Sequence, residues 1–163
     1  MRGTSLMSVR VFDQWLESTA LSHLIQTTHG AIAGIQVVHI LALATLFALA
    51  LNLALRVTGH GLAAEPLSSL ASRFVPALWI CLGVLLFTGS LLIIAEPGRS
   101  LMNRVFYTKM TLLLVAIALT LWLAAVARRP LQRPSKLQVA AAALYVLVWV
   151  GIIVAGRYIA YSV

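Results

Sequence analysis

The stretch WICLGVLLFTGSLLIIAEPGRSLMNRVFYTKM occupies residues 79–110. A long apolar run ends on Glu96. Pro97 cannot continue a helix that has reached it, because it lacks an N–H and its ring clashes with the preceding turn. A short polar turn follows, and Lys109 then stands at the head of a second apolar run. Two uncharged runs of membrane-crossing length, separated by a proline break, form a hairpin of transmembrane helices. The rest of the chain is read outward from it.

Composition agrees with the hairpin. The 163 residues are 61% hydrophobic and only 10% charged, whereas soluble domains are about half apolar and a quarter charged. Mean hydropathy is +0.99. Twelve Lys and Arg against four Asp and Glu give a formal charge of +8. The basic residues sit at the ends of apolar runs, where they fix membrane topology, so nucleic acid is excluded as a partner and the lipid bilayer takes its place. A lone cysteine, Cys81, lies inside an apolar run. It makes neither an internal disulfide nor a multi-cysteine metal site.

Upstream, residues 1–17 carry Arg2, Arg10, Asp13 and Glu17 among apolar side chains. Val11, Phe12, Trp15 and Leu16 fall on one helical stripe, which predicts an interfacial amphipathic helix with Trp15 at headgroup depth. No cleavage site follows the basic start cleanly, so no removed leader is read. From Ser18 to Leu55 there is no fixed charge. One helix of that length would measure roughly 57 Å against a hydrocarbon core of ~30 Å. The polar first third therefore belongs at the interface, and the first span runs from Ala31 to Leu53, closing on Arg56. Gly30 and Gly34 form a small-xxx-small pair.

Residues 57–72 read as a loop, from Thr58-Gly59-His60-Gly61 through Glu65-Pro66 to Ser68-Ser69. The second span is Ala77–Ala95, with Pro76 in its first turn. The third is Val105–Ala127 and ends on the basic loop Arg128, Arg129, Pro130, Arg133. The fourth is Leu137–Gly156, closing on Tyr158 and Tyr161 as an aromatic belt. The predicted fold is all-α and integral to the membrane: a four-transmembrane-helix bundle over residues 29–163, preceded by an interfacial amphipathic segment over residues 1–28.

Both termini fall on one side. Lys and Arg counts tie at six per side. Lys109 and Arg157 lie inside span ends, and the densest basic cluster is the third loop. Loops one and three are therefore expected in the cytoplasm, with both termini and the Glu96 turn outside.

This topology brings Glu96, Lys109 and Arg157 to one end of the bundle. Charges in a membrane are costly and pair. The plainer reading is a salt-bridged cap that sets helix register. The sharper one is an outward polar pocket for an ion, an anionic solute or a cofactor carboxylate, with Arg99 and Arg104 adding positive potential. His39 lies within the first span and shares one broad face with Gln36 and His29. It needs a partner on a neighbouring helix, for which Gln36, Asn52 and Thr88 are the candidates.

Haem b and copper are the cofactors to weigh. A bis-histidine haem fails within one chain, because spans two to four contain no histidine and His29 shares a helix with His39. A single-histidine haem on His39, or His39 with Met110, stays open. So does a soft copper site drawing on Met102, Met110, His23 and His29. No hydrolase, phosphate-loop or dinucleotide motif is present, which argues against an enzyme.

Several stretches together resemble a family of small bacterial four-helix membrane proteins of unknown function. They are VVHILALATLFALALNLALRVTG, FVPALWICLGVLLFTGSLLIIAEP, NRVFYTKMTLLL and GIIVAGRYIAY. The resemblance covers most of residues 11–163. It is carried by His39, Thr88-Gly89, Glu96-Pro97 with Phe106 and Lys109, and the Gly156–Tyr161 end. The second and third spans are more distantly similar to copper-resistance protein D-like membrane domains. The resemblance implies a bacterial inner-membrane location and no activity. Three readings stay open. One is a module binding or transporting a small ion or solute, possibly copper-related, through Glu96, Lys109, Arg157, His39, Gln36 and Arg104. Another is a haem-b electron-transfer subunit using His39. The third is a non-catalytic accessory subunit that packs into a homo-oligomer or a larger membrane complex.

Overall fold

The computed structural model describes residues 2–60, 67–127 and 134–161. Seven helices follow one another: α1 (Arg2–Glu17), α2 (Ala20–Thr27), α3 (Ala31–Val57), α4 (Leu67–Ala95), α5 (Pro97–Leu101), α6 (Arg104–Ala127) and α7 (Lys136–Tyr161). Four of them contain stretches long and apolar enough to cross a membrane: Ala31–Val57, Phe74–Ala95, Arg104–Ala127 and Lys136–Ile159. At ~1.5 Å per residue each exceeds the ~30 Å hydrocarbon core, the mark of a multi-pass membrane protein. The turn at Glu65-Pro66 and the cluster Arg128, Arg129, Pro130, Arg133 lie outside the described residues.

One boundary differs from the sequence reading. The helix of the second span starts at Leu67, so the segment read as loop through residue 72 is helical from 67 onward. Pro76 is consequently an interior residue and not a first-turn one. Pro76 itself is exposed between the buried Val75 and Leu78, and the apolar run after it is long enough to carry the helix past the break.

Local chemistry sets most other boundaries. The Thr19 side chain accepts from Ser22 N (3.3 Å) and opens α2. Gly30 (φ 80°) turns the chain between α2 and α3, a backbone conformation that glycine adopts without strain. Pro97 occupies the first position of α5, where no N–H is needed. Asn103 Oδ1 accepts from Val105 N (2.9 Å) at the start of α6. Ser135 and Gln138 form a reciprocal capping box before α7: Gln138 N donates to Ser135 Oγ (3.3 Å) and Ser135 N donates to Gln138 Oε1 (2.7 Å).

α3 packs on α4 and α6 on α7; α3 then joins the two pairs by lying against both α7 and α6. Lipid is as apolar as leucine, so association here depends on close packing and interhelical hydrogen bonds. The buried seam is accordingly rich in alanine, with Ala50, Ala54, Ala116, Ala124, Ala127 and Ala142 beside Leu46, Leu53 and Leu123. Tyr145 is fully buried there, and its hydroxyl meets Thr120 Oγ1 at 2.9 Å. Large side chains such as Ile40, Phe87, Leu114 and Leu147 face outward, where hydrocarbon would surround them.

This packed seam occupies the half of the bundle away from Glu96. No residue of α3 before Leu46, and none of α6 before Ala116, is fully buried. In α3 and α6 the half that contains His39 and Lys109 is looser, while α4 and α7 keep Thr88, Ala95, Ile152, Ala155 and Ile159 buried there. α1 and α2 cover its end. Gln26 Nε2 donates to the Ala95 carbonyl (2.8 Å), satisfying one of the orphan acceptors at the C-terminus of α4. Asp13 of α1 lies over Gly98 of α5: a Cβ at Gly98 would sit 3.6 Å from Asp13 Oδ2.

Candidate functional site

Polar side chains inside a membrane bundle must find partners within the protein, so the spans can be surveyed for those that do not. Most hydroxyls and amides return to their own helix. Thr45 donates to Leu41 O, Asn52 to Ala48 O, Ser90 to Leu86 O and Thr111 to Tyr107 O, all at 2.8–3.0 Å. Thr120 donates to Ala116 O and also meets Tyr145. Two positions in the looser half behave differently.

The first is His39. It is half-buried on α3, and its Nδ1 lies 2.8 Å from Thr88 Oγ1 on α4. Thr88 is only 5% exposed. The ring rests on the next residue of α4, since a Cβ at Gly89 would lie 3.5 Å from His39 Cε1. The imidazole thus lies within van der Waals reach of the backbone beside Thr88, at a distance an added Cβ would tolerate. Of the three partners the sequence offered, Thr88 holds the ring; Asn52 bonds its own helix, and Gln36 makes no hydrogen bond among the described residues. Gln36 is half-buried, one turn before His39.

The second is Lys109, half-buried near the start of α6. Its ammonium comes against α7, where a Cβ at Gly156 would lie 3.7 Å from Nζ and 3.9 Å from Cε. Among the described residues, no carboxylate lies within ion-pair distance of Lys109. Counting residues from the helix ends places Lys109 and Gly156 roughly 7.5 Å inside, and His39 and Thr88 roughly 10–12 Å inside. The Glu96 half of the bundle thus carries a histidine bonded to a threonine between α3 and α4, and an ammonium against a glycine between α6 and α7.

The other charged residues named from the sequence do not join Lys109. Glu96 does not pair with Lys109; its Oε2 accepts from Arg99 Nη1 at 2.7 Å. Arg157 is exposed, donates to the Tyr161 hydroxyl at 2.5 Å and lies 4.7 Å from that ring's centroid. Arg104 is exposed at the first position of α6. His23 and His29 are exposed on and after α2, and Met110 points outward beside Lys109. Among the described residues, no three of His, Cys, Asp and Glu gather as a metal site would need. The sequence names Thr88 as one of three candidate partners and gives no sign of the contacts at Gly89 and Gly156. Its available signal was a small residue one position from a polar one within an apolar helix.

A model described as a family of unknown function (DUF6644) matches residues 12–162 of this chain. No curated protein and no solved structure matches it.

Proposed function

The chain belongs to the DUF6644 family of unknown function, and we propose that it binds or transports a small anion through a polar, basic pocket at the Glu96 end of the bundle. In this reading the protein sits in a bacterial inner membrane with that end outward. The loops after α3 and α6 face the cytoplasm, and α1 lies in the interface with Trp15 at headgroup depth. One observation carries the proposal. Among the described residues, Lys109 lies within a span with no carboxylate in ion-pair distance, while Glu96 is held by Arg99. A charge in the membrane costs about 2.5–3.5 kcal/mol at a helix centre and less toward the end, so intramembrane ammonium groups keep company with counter-charges. An anion entering from the outer compartment supplies that charge. His39 and Thr88 provide the polar wall beside it.

The test is equilibrium binding of nitrate, chloride and hydrogencarbonate to the protein in lipid nanodiscs. At least one of these anions binds the wild-type protein. Lys109→Met weakens that binding at least tenfold with helicity and melting temperature preserved, and Lys109→Arg restores most of it. Glu96→Gln leaves binding nearly intact, because its carboxylate is engaged by Arg99. Wild-type affinity in Lys109→Met would overturn the reading.

A further inference from the structure

Trp149 stands midway along α7, roughly 20 Å from either end of the helix at ~1.5 Å per residue, and is only 2% exposed. Its indole N–H is buried and has no hydrogen-bond partner among the described residues. The Tyr145 ring packs edge-on against the indole, with centroids 6.3 Å apart, and does not take that proton. Buried donors in native proteins are nearly always satisfied, by protein or by ordered water. At this depth the bilayer supplies no bulk water.

Trp149 forms one wall of a cavity in the packed seam. The other walls include Leu46 of α3, Leu78 and Leu82 of α4, and Thr120 of α6. The cavity offers about 10 Å³ to the centre of a water-sized sphere, which is the room that one water molecule needs. Thr120 is 6% exposed. Its Oγ1 lies 2.7 Å from Ala116 O and 2.9 Å from the Tyr145 hydroxyl. A carbonyl has no proton to offer, so the Thr120 O–H donates to Ala116 O and the Tyr145 O–H donates to Thr120 Oγ1. The same order holds at Thr88, whose O–H donates to Val84 O at 2.7 Å and whose oxygen therefore accepts from His39 Nδ1. A hydroxyl oxygen can accept two hydrogen bonds, and Thr120 Oγ1 has used one. The walls of the cavity thus carry an unused donor on Trp149 and an unused lone pair on Thr120.

We propose that this cavity is a binding site for a single water molecule, which accepts from Trp149 Nε1–H and donates to Thr120 Oγ1. The water ties α7 to α6 at the centre of the seam. A void lined by hydrocarbon alone stays dry, whereas two or more polar partners hold a water. The ligand must both accept and donate a hydrogen bond within the space of one heavy atom. An aprotic anion cannot donate to Thr120, a metal cation would face the indole N–H, and an apolar gas satisfies neither group.

Proton NMR of the full-length protein, nitrogen-labelled at the tryptophan indoles and embedded in deuterated lipid, tests the proposal. Trp15, Trp79 and Trp122 are exposed, so Trp15→Phe, Trp79→Phe and Trp122→Phe assign three indole signals and leave the fourth to Trp149. The expected result is a nuclear Overhauser cross-peak between the Trp149 indole proton and water, with the sign of a water that tumbles with the protein. Thr120→Val removes the acceptor and the cross-peak while the Trp149 signal remains; Thr120→Ser keeps both. A Trp149 signal without a water cross-peak in the wild-type protein overturns the proposal. So does a cross-peak that Thr120→Val leaves undiminished, or one to the Tyr145 hydroxyl proton in place of water, which shows a direct bond. Should Thr120→Val not fold, a cross-peak from the same water to the Thr120 methyl group in the wild-type protein takes its place, and its absence counts against the site in the same way.

Discussion

The hydrogen bond between His39 and Thr88 is the clearest link between α3 and α4 in the looser half of the bundle, and a double-mutant cycle measures it. Thr88→Val keeps the side-chain shape and removes the acceptor. His39→Ala removes the donor. Interhelical hydrogen bonds in membrane proteins average about 0.6 kcal/mol and reach about 1.7 kcal/mol, because the unfolded chain in the bilayer also finds partners. This bond is short, at 2.8 Å, and its acceptor is 5% exposed. Both features place it in the upper part of that range, at about 1–1.7 kcal/mol of coupling. Thr88→Val alone should cost about 1–2 kcal/mol, since it orphans a half-buried N–H. Detergent-driven unfolding followed by tryptophan fluorescence gives the four stabilities. Coupling below about 0.3 kcal/mol, the level at which independent sites add, would refute the assignment of His39 to Thr88.

Two further outcomes follow from the same geometry. Thr120 keeps its bond to Ala116 O whatever happens to Tyr145, so Tyr145→Phe costs about 0.5–1.5 kcal/mol, whereas Thr120→Val orphans a fully buried phenol and costs about 1–3 kcal/mol; equal costs in the same unfolding assay would contradict this ordering. Gln26→Leu frees the Ala95 carbonyl and should lower stability by about 1 kcal/mol, with faster amide exchange confined to α2; unchanged exchange would show that Gln26 does not tether that helix.

The fold was largely legible because lipid makes simple demands. An uncharged run of the right length must be a helix, and Arg56 and Pro97 mark ends that the structure keeps to within a few residues. The start of α4 was not legible. Gly59, Gly61, Pro66 and the serine pair read as a continuous loop, and nothing local says that residues 67–73 are already helical. Helical phase could name Thr88, Asn52 and Gln36 as partners for His39. Choosing among them requires the rotation of α4 against α3, which is a tertiary quantity. Glu96 teaches the opposite lesson. Its partner, Arg99, is three residues away, on the short helix that Glu96 immediately precedes. A local pair at this spacing displaced the long-range pairing with Lys109 that topology alone suggested. The tether from Gln26 to Ala95 spans 69 residues of sequence and left no local trace at all.

The central claim is that the Lys109 ammonium meets an anion from outside the protein. Dipolar recoupling by solid-state NMR, between labelled Lys109 Nζ and the carbon of labelled hydrogencarbonate in the lipid-embedded protein, tests it without any assay of activity. The account predicts dephasing of the Nζ signal by the bound anion and its loss when an excess of unlabelled hydrogencarbonate is added. Dephasing instead by a labelled Glu96 carboxylate, with none from the anion, would show an internal ion pair and contradict the account.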